Sequence, residues 1–151
     1  MDLAEKFLDC LDYLFGEGCS EALPKEGLEL VTSKRTGRLR YVYLDGKLLA
    51  TVRHDGSIAL TVFGARLLLK AEAFRRNCVV VKREAVEAVR SGRSVFSKHV
   101  LDCGDLVRPG SDVAVLSPEG EVIAVGRAKL SCRMMKHLKS GVAVKVREGS
   151  K

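Results

Sequence analysis

Residues 92–146 constrain the fold of this chain more than any other stretch. They hold short apolar runs separated by glycine, proline and aspartate, and the runs that have the length of strands are 95–101, 112–116, 121–126 and 142–146. The turn Ser117-Pro118-Glu119-Gly120 joins two of these runs, and Ser131 can cap one short helix that ends before Gly141. Short strands with a single helix inserted late predict a small, partly closed β-barrel.

The same stretch resembles a PUA domain, the RNA-binding pseudo-barrel of pseudouridine synthases and archaeosine transglycosylases. The likeness is strongest to the domain that ends archaeal archaeosine tRNA-guanine transglycosylases. Four segments carry it in order: Val95-Phe96-Ser97-Lys98, Val107-Arg108-Pro109-Gly110, Val122-Ile123-Ala124-Val125-Gly126-Arg127-Ala128 and Gly141-Val142-Ala143-Val144-Lys145-Val146-Arg147. The resemblance implies a PUA-type β pseudo-barrel over residues 77–151, with its first strand at 78–81 and its first helix at 82–91.

The first half of the chain predicts an α+β domain with an antiparallel sheet. Leucine and phenylalanine recur at helical spacing near the start, and Asp45-Gly46 separates two alternating runs, which is a strong hairpin signal. The predicted elements are a helix over 2–15, a helical turn at 20–23, strands at 28–31, 39–44, 48–52 and 58–62, and a helix over 65–74. The last three strands are expected to form a sheet that the two helices cover on one face.

This half also has a family likeness, to the segment that precedes the PUA domain in archaeosine transglycosylases and the related archaeosine synthases. The segments that carry it are Asp12-Tyr13-Leu14-Phe15-Gly16-Glu17-Gly18, Ser33-Lys34-Arg35-Thr36-Gly37-Arg38, Leu44-Asp45-Gly46, Ala50-Thr51, Asp55-Gly56 and Gly64-Ala65. The resemblance therefore covers roughly residues 8–148 and corresponds to the C-terminal portion of those enzymes. It implies a pre-PUA domain at 1–76, a PUA domain at 77–151 and a boundary near Arg75-Arg76-Asn77.

Charge is distributed unevenly along the chain. The net charge is +7, but residues 1–30 contain eight acidic and two basic residues, whereas residues 78–151 contain fourteen basic and eight acidic ones. A basic C-terminal half favours a polyanionic partner, and a merely lysine- and arginine-rich surface is the alternative. No apolar run has the length of a membrane span and the acidic N-terminus is unlike a signal peptide, so we expect a cytoplasmic protein without a membrane partner.

The five cysteines, Cys10, Cys19, Cys78, Cys103 and Cys132, include no C-x-x-C pair. Zinc sites use closely spaced thiolates or imidazoles, so no metal site and no cofactor are expected. An odd number of cysteines without paired spacing fits reduced, mostly buried thiols. A disulfide is the alternative that the sequence does not decide.

The sequence predicts no catalytic residue. In the resembling enzymes the reaction belongs to a separate barrel domain, for which 151 residues have no room. Asp102 and Asp105 flank Gly104 and are best interpreted as turn residues. Cys103 with His99 could form a thiol–imidazole pair, but no third group is evident to orient it.

RNA binding is the positive expectation. The residues that PUA domains use, placed on this sequence, are Arg90, Gly92, Arg93, Ser94, Val95, Phe96, Ser97, Lys98, His99, Arg127, Lys129, Arg133, Lys145 and Arg147. Arginine and lysine neutralise phosphates, which agrees with this placement. Some of these residues have a structural alternative: Gly92 as a helix cap, Phe96 as a core residue and His99 as an ordinary surface side chain.

A second basic patch consists of Lys34, Arg35, Arg38 and Arg40. It lies in a turn, where basic residues are common, so it is a weaker candidate for RNA contact.

By resemblance, the expected function is non-catalytic binding of tRNA at its acceptor stem and 3′ end in support of tRNA modification. The implied partner is a separately encoded transglycosylase catalytic chain. A ribosome- or translation-associated RNA-binding factor and a protein-interaction module are the alternatives.

Overall fold

Helix α1 (Leu3–Phe15) opens the first of two units in the computed structural model, which describes residues 2–151. Asp2 caps the helix, because its Oδ1 accepts a hydrogen bond of 2.8 Å from the backbone N of Glu5. Phe7, Leu11 and Phe15 recur every four residues and form its buried face. The helix predicted over 2–15 is confirmed. The first unit ends at Phe74 and the second begins at Arg75.

The first unit contains a four-stranded antiparallel sheet in sequential order. Its strands are β1 (Leu28–Thr32), β2 (Leu39–Leu44), β3 (Lys47–Val52) and β4 (Ile58–Leu60). Asp45 and Gly46 both have positive φ, 51° and 78°, as the tight hairpin turn between β2 and β3 requires. The predicted hairpin is confirmed, and the strand predicted at 28–31 adds a fourth strand to the sheet.

Helix α2 (Val62–Leu68) begins and ends earlier than predicted. Thr61 Oγ1 accepts a hydrogen bond of 3.0 Å from Gly64 N, which starts the helix at Val62 rather than at residue 65. Gly64 packs so closely on β3 that a Cβ there would overlap the carbonyl oxygen of Leu49. A separate 3₁₀ turn, Glu72–Asn77, occupies the end of the helix predicted over 65–74.

The second unit is built around a six-stranded sheet in the order β6-β10-β9-β8-β5-β7. Its strands are β5 (Cys78–Val81), β6 (Val95–Phe96), β7 (Val100–Cys103), β8 (Asp112–Leu116), β9 (Val122–Ala128) and β10 (Val142–Gly149). Strands β5 and β8 are parallel, and the other neighbours are antiparallel. Val79, Val81, Val113, Val115 and Val144 are among the valines that fill the core. This nearly closed sheet is the predicted pseudo-barrel.

The helix predicted at 82–91 is divided into a 3₁₀ turn, Arg83–Ala85, and helix α3 (Val86–Arg90). The late helix α4 (Cys132–His137) is capped as predicted, since Ser131 Oγ accepts a hydrogen bond of 3.2 Å from Met134 N. Met135 is buried and Met134 is exposed, so the two methionines lie in the core and at the rim.

A disulfide joins Cys103 at the end of β7 to Cys132 at the start of α4, with 5.6 Å between the Cα atoms. The expectation of reduced thiols is therefore wrong for these two residues, because the fold brings them together from 29 positions apart. Cys10, Cys19 and Cys78 are not in a disulfide, and only Cys10 among them is exposed. Within residues 2–151, no helix is long and apolar enough to cross a membrane.

Candidate nucleic-acid interface

Strand β10 brings together the two groups of residues that the sequence predicts for RNA binding. On one side it pairs with β6, where Val142 lies opposite Phe96 and Val144 opposite Val95. On the other side it pairs with β9, where Lys145 lies opposite Arg127. The segment after α3 and the segment after β8 therefore flank the same strand.

Arg127 and Lys145 place two positive charges directly opposite each other. Like charges in this cross-strand position are destabilising. On β8, Asp112 lies opposite Arg127 in the strand register. Its Oδ1 lies 3.6 Å from Arg147 Nη1 on β10. Arg127 Nε is buried and has no hydrogen-bond partner among the described residues. This cluster has an excess of positive charge that a bound anion would balance.

Phe96 ends β6 opposite Val142, the first residue of β10, and 44% of the residue is exposed. The interpretation of Phe96 as a core residue is wrong, because strand alternation sends Val95 into the core and Phe96 outward. Its ring is edge-on to His99, with 6.5 Å between the ring centroids, and Lys98 beside it is exposed. An exposed aromatic ring, two residues from an exposed lysine, suits stacking on an unpaired base.

Two of the predicted contact residues do not present their side chains. Val95 is fully buried in the core, and Ser97 is buried with its Oγ unpartnered among the described residues. The backbone N of Ser97 donates to Gly141 O at 3.0 Å, which fixes this segment beside β10. The side chains of Val95 and Ser97 are therefore not presented to solvent, where RNA would bind.

The opposite end of β10 meets the end of α3. Arg90 Nε donates to Ser150 Oγ at 3.3 Å, and its Nη1 lies 3.3 Å from Glu87 Oε1. Lys151 and then Arg90 hold the pKa of the Glu87 carboxyl below its usual range. Gly92 has a φ of +100° and its N donates to Val89 O at 2.9 Å, so it does end the helix. A Cβ at Gly92 would face open space, so the residue is also accessible.

The remaining predicted residues are exposed or half-buried. Ser94 and His99 are half-buried, whereas Arg93, Lys129, Arg133 and Lys145 are exposed. Lys129 N donates to Ala143 O at 2.7 Å, which places it against β10. We define the β10 surface by Phe96, Lys98, Arg127, Lys129, Lys145 and Arg147.

The candidate catalytic residues have structural partners. Asp102 Oδ1 accepts from Cys103 N at 2.9 Å and lies 3.0 Å from Lys136 Nζ, which lowers the pKa of its carboxyl. Asp105 forms a bidentate pair with Arg76 at 2.8 and 2.9 Å, and its pKa is lowered in the same way. The Cys103 sulfur is in the disulfide and supplies no thiolate for His99. Residues 2–151 contain no cluster of three or more potential metal ligands.

The second basic patch lies in the first unit. Lys34, Arg35 and Arg38 are exposed around the β1–β2 turn, and Arg40 at the start of β2 is half-buried with its Nε unpartnered among the described residues. The guanidinium carbon of Arg40 lies 5.9 Å from the centre of the Tyr41 ring. Arg38 and Arg40 also line a cavity, together with Lys6, Arg53 and His54. Sequence reasoning missed those three because they come from separate segments.

Two family models match the chain in tandem. Residues 7–74 match the patch-forming domain C2 of tRNA-guanine transglycosylase, and residues 77–149 match the PUA domain. This is a PUA-domain protein. The first unit is its C2 domain and the second is its PUA domain, so the family predicted from the sequence is confirmed for both halves.

The curated relatives of this PUA-domain protein are archaeal enzymes. The tRNA-guanine(15) transglycosylase of Thermococcus onnurineus is 40% identical over 139 residues, which are 91% of this chain and 24% of the enzyme. That of Pyrococcus abyssi is 42% identical over 139 residues, 91% of this chain and 23% of the enzyme. The chain thus spans about a quarter of the length of these relatives.

Solved structures with the same fold are closer to this protein in length. A hypothetical protein of Pyrococcus horikoshii matches with a TM-score of 0.77 and 25% identity, over 98% of this chain and 90% of the other. A conserved PUA domain protein of Thermoplasma acidophilum matches with a TM-score of 0.71 and 22% identity, over 97% and 87%. The predicted fold class, α+β followed by a PUA-type pseudo-barrel, is confirmed.

Proposed function

We propose that this protein binds RNA through the β10 surface of its PUA domain, in support of tRNA modification. The observation that carries the proposal is the pairing of Arg127 with Lys145 on adjacent strands, together with the exposed ring of Phe96 on the other neighbour of β10. Unbalanced positive charge favours a phosphate backbone, and an exposed ring favours an unpaired base. An unpaired nucleic-acid end meets both requirements.

The RNA we propose is tRNA, held at its acceptor stem and single-stranded 3′ end. Relatives that are named tRNA-guanine(15) transglycosylase align over 91% of this chain, which supports a tRNA ligand over other RNAs. Unpaired ends expose base faces that side chains can reach, whereas the deep groove of an RNA helix does not. Phe96 would stack on a base, and Lys145 and Arg127 would contact phosphates.

The decisive experiment measures tRNA binding across a salt series, with intact tRNA and with tRNA that lacks its 3′ single-stranded end. We expect tighter binding of the intact form, and a difference that persists at higher salt because stacking is not screened. Equal binding that declines together with salt would contradict recognition of the 3′ end. Tighter binding of ribosomal RNA than of tRNA would favour a ribosome-associated factor instead.

Two variants separate the roles of charge and stacking. Lys145→Ala should weaken binding of both tRNA forms and reduce the slope of log affinity against log salt by about 1. Phe96→Ala should cost about 1–3 kcal/mol of binding and remove the preference for the intact 3′ end. Arg83→Ala is the matched control, since Arg83 pairs with Glu119 outside the β10 surface and carries the same charge as Lys145.

We further propose that the protein acts without catalysis of its own, as an accessory to a separately encoded transglycosylase catalytic chain. Relatives that align over 91% of this chain are named tRNA-guanine(15) transglycosylases, which supports an enzyme of that class as the partner. Co-expression of the two chains, followed by purification of one, should recover a complex that binds tRNA more tightly than the catalytic chain alone. Separate elution with no change in tRNA affinity would rule this partner out.

A further inference from the structure

A cavity of about 360 Å³ lies in the C2 domain, between α1 and the turns that precede β2 and β4. Its inner walls are apolar, with Phe7 and Ile58 almost fully buried at 2% and 1% exposure. Leu39 and Val52 complete these walls. Pockets that hold small organic groups have volumes of about 300–1,000 Å³ and are mostly apolar, so the size and lining fit a ligand.

The rim of this cavity is cationic. Lys6, Arg38, Arg40, Arg53 and His54 line it, and none of the described lining residues is acidic. Arg53 Nη1 donates to Ser57 Oγ at 3.1 Å, which holds its guanidinium at the β3–β4 turn. Arg40 Nε is buried without an acceptor among the described residues, and a buried donor without an acceptor is costly. An anionic ligand group at the rim would be attracted to the guanidinium of Arg40.

We propose that the cavity binds one unpaired nucleotide of an RNA strand, with the base against Leu39 and Val52 and its phosphate at Arg38 and Arg40. A nucleobase has apolar faces and is attached to an anionic phosphate, which matches apolar walls below a cationic rim. The inference rests on the proposed RNA-binding function and adds a second contact site in the other domain.

The surroundings of the cavity favour a nucleotide within a strand over a free one. Lys34 and Arg35 are exposed in the β1–β2 turn, which also supplies Arg38, and they extend the positive charge away from the cavity. A strand has neighbouring phosphates that can occupy these positions, whereas a mononucleotide has none.

Cys10 gives a direct measure of occupancy. It lines the cavity and is the exposed free thiol of the described chain, because Cys19 and Cys78 are buried and the other two cysteines are bridged. The experiment follows alkylation of Cys10 by iodoacetamide, in the full chain, by mass spectrometry of its peptide. The probe is a short single-stranded oligouridylate. At about ten times its dissociation constant, the probe should slow alkylation about tenfold.

Other probes decide between occupants. The complementary duplex and inorganic polyphosphate should leave the alkylation rate unchanged. Absence of protection by oligouridylate, or equal protection by polyphosphate or duplex, overturns the proposal. Equal protection by free uridine monophosphate at the same concentration also overturns it, because the ligand is then a mononucleotide rather than a strand.

Variants test the assigned residues. Arg38→Gln and Arg40→Gln should each weaken protection by oligouridylate, whereas Arg66→Gln should not, since Arg66 is an exposed cation on α2 outside the cavity. Circular dichroism checks that each variant is folded, and exposed Arg38 gives a test even if Arg40→Gln is unstable. Undiminished protection in folded Arg38→Gln and Arg40→Gln would overturn the assignment.

The two binding proposals fail separately. Phe96→Ala and Lys145→Ala remove contacts of the β10 surface, so they should weaken tRNA binding and leave protection of Cys10 by oligouridylate intact. Protection of Cys10 without any tRNA binding at the β10 surface defeats the proposed function alone. Binding of tRNA at the β10 surface without protection of Cys10 defeats the nucleotide cavity alone.

Discussion

Removal of the Cys103–Cys132 disulfide should destabilise the PUA domain strongly. The bridge closes a loop across 29 positions, from the end of β7 to the start of α4. The Lys136–Asp102 ion pair adds little to the anchoring of α4, because it is exposed and exposed pairs contribute little. The buried side chain of Met135 and the hydrogen bond of 3.1 Å from Cys132 N to Val107 O remain.

The magnitude follows from the loop length. With a separation of 29, the chain-entropy relation indicates that the bridge lowers the conformational entropy of the unfolded state by about 12 cal/mol/K. This corresponds to about 3.6 kcal/mol of stability at room temperature. A free-energy difference of this size equals a roughly 400-fold change in the unfolding equilibrium constant. With a urea slope of about 1.5–2 kcal/mol/M, the midpoint should fall by about 2 M.

The assay is urea unfolding followed by far-ultraviolet circular dichroism, with and without dithiothreitol. The variant with Cys103→Ser and Cys132→Ser should unfold at the lower midpoint in both conditions, and the unmodified protein should shift to it only when reduced. Cys10→Ser is the control and should not move the midpoint, since Cys10 is exposed and unbridged. A shift of less than about 0.5 M on reduction would refute the loop-closure reasoning.

Three further predictions concern single side chains. Lys136→Gln should raise the pKa of Asp102 toward its ordinary 3.8, which NMR titration can measure. In the unmodified protein, the stability that the depressed pKa contributes is lost as the pH falls through the folded-state pKa. Gly126→Ala should destabilise the PUA domain by about 1–3 kcal/mol in urea unfolding, because its Cβ would overlap the carbonyl oxygen of Lys145 on β10. Thr61→Ala should cost the C2 domain about 1–2 kcal/mol in the same assay through loss of the α2 cap, whereas Thr61→Ser should retain most of it.

Local patterns predicted most of the elements correctly. Asp45-Gly46 specifies its hairpin because few other residue pairs adopt two consecutive positive φ angles. The run at 112–116 was predictable because turn residues bound it on both sides. The start of α2 was harder to predict, because Thr61 and Val62 continue an alternating strand pattern while Thr61 also serves as a helix cap. Two local preferences compete there, and the packing of Gly64 on β3 agrees with the helical one.

The candidate site shows where sequence reasoning stops. Placing Arg90 and residues 92–99 on the RNA surface takes no account of strand alternation, which buries Val95 and exposes Phe96. This alternation can be read from the sequence. The disulfide and the cavity were not predictable in this way, because each joins residues that are distant along the chain. Only the packing of α4 on β7 reveals that Cys103 and Cys132 are neighbours.

Strand β10 has a consequence for how the protein is made. It is the last strand in chain order, but it lies inside the PUA sheet, between β6 and β9. During synthesis the C2 domain, complete by Phe74, can fold while the PUA sequence is still emerging from the ribosome. The β10 surface forms only after residue 149 has emerged, so a nascent chain can bind tRNA in the proposed way only once the whole PUA sequence has been translated. Chains interrupted before that point should leave the apolar edges of β6 and β9 open to aggregation.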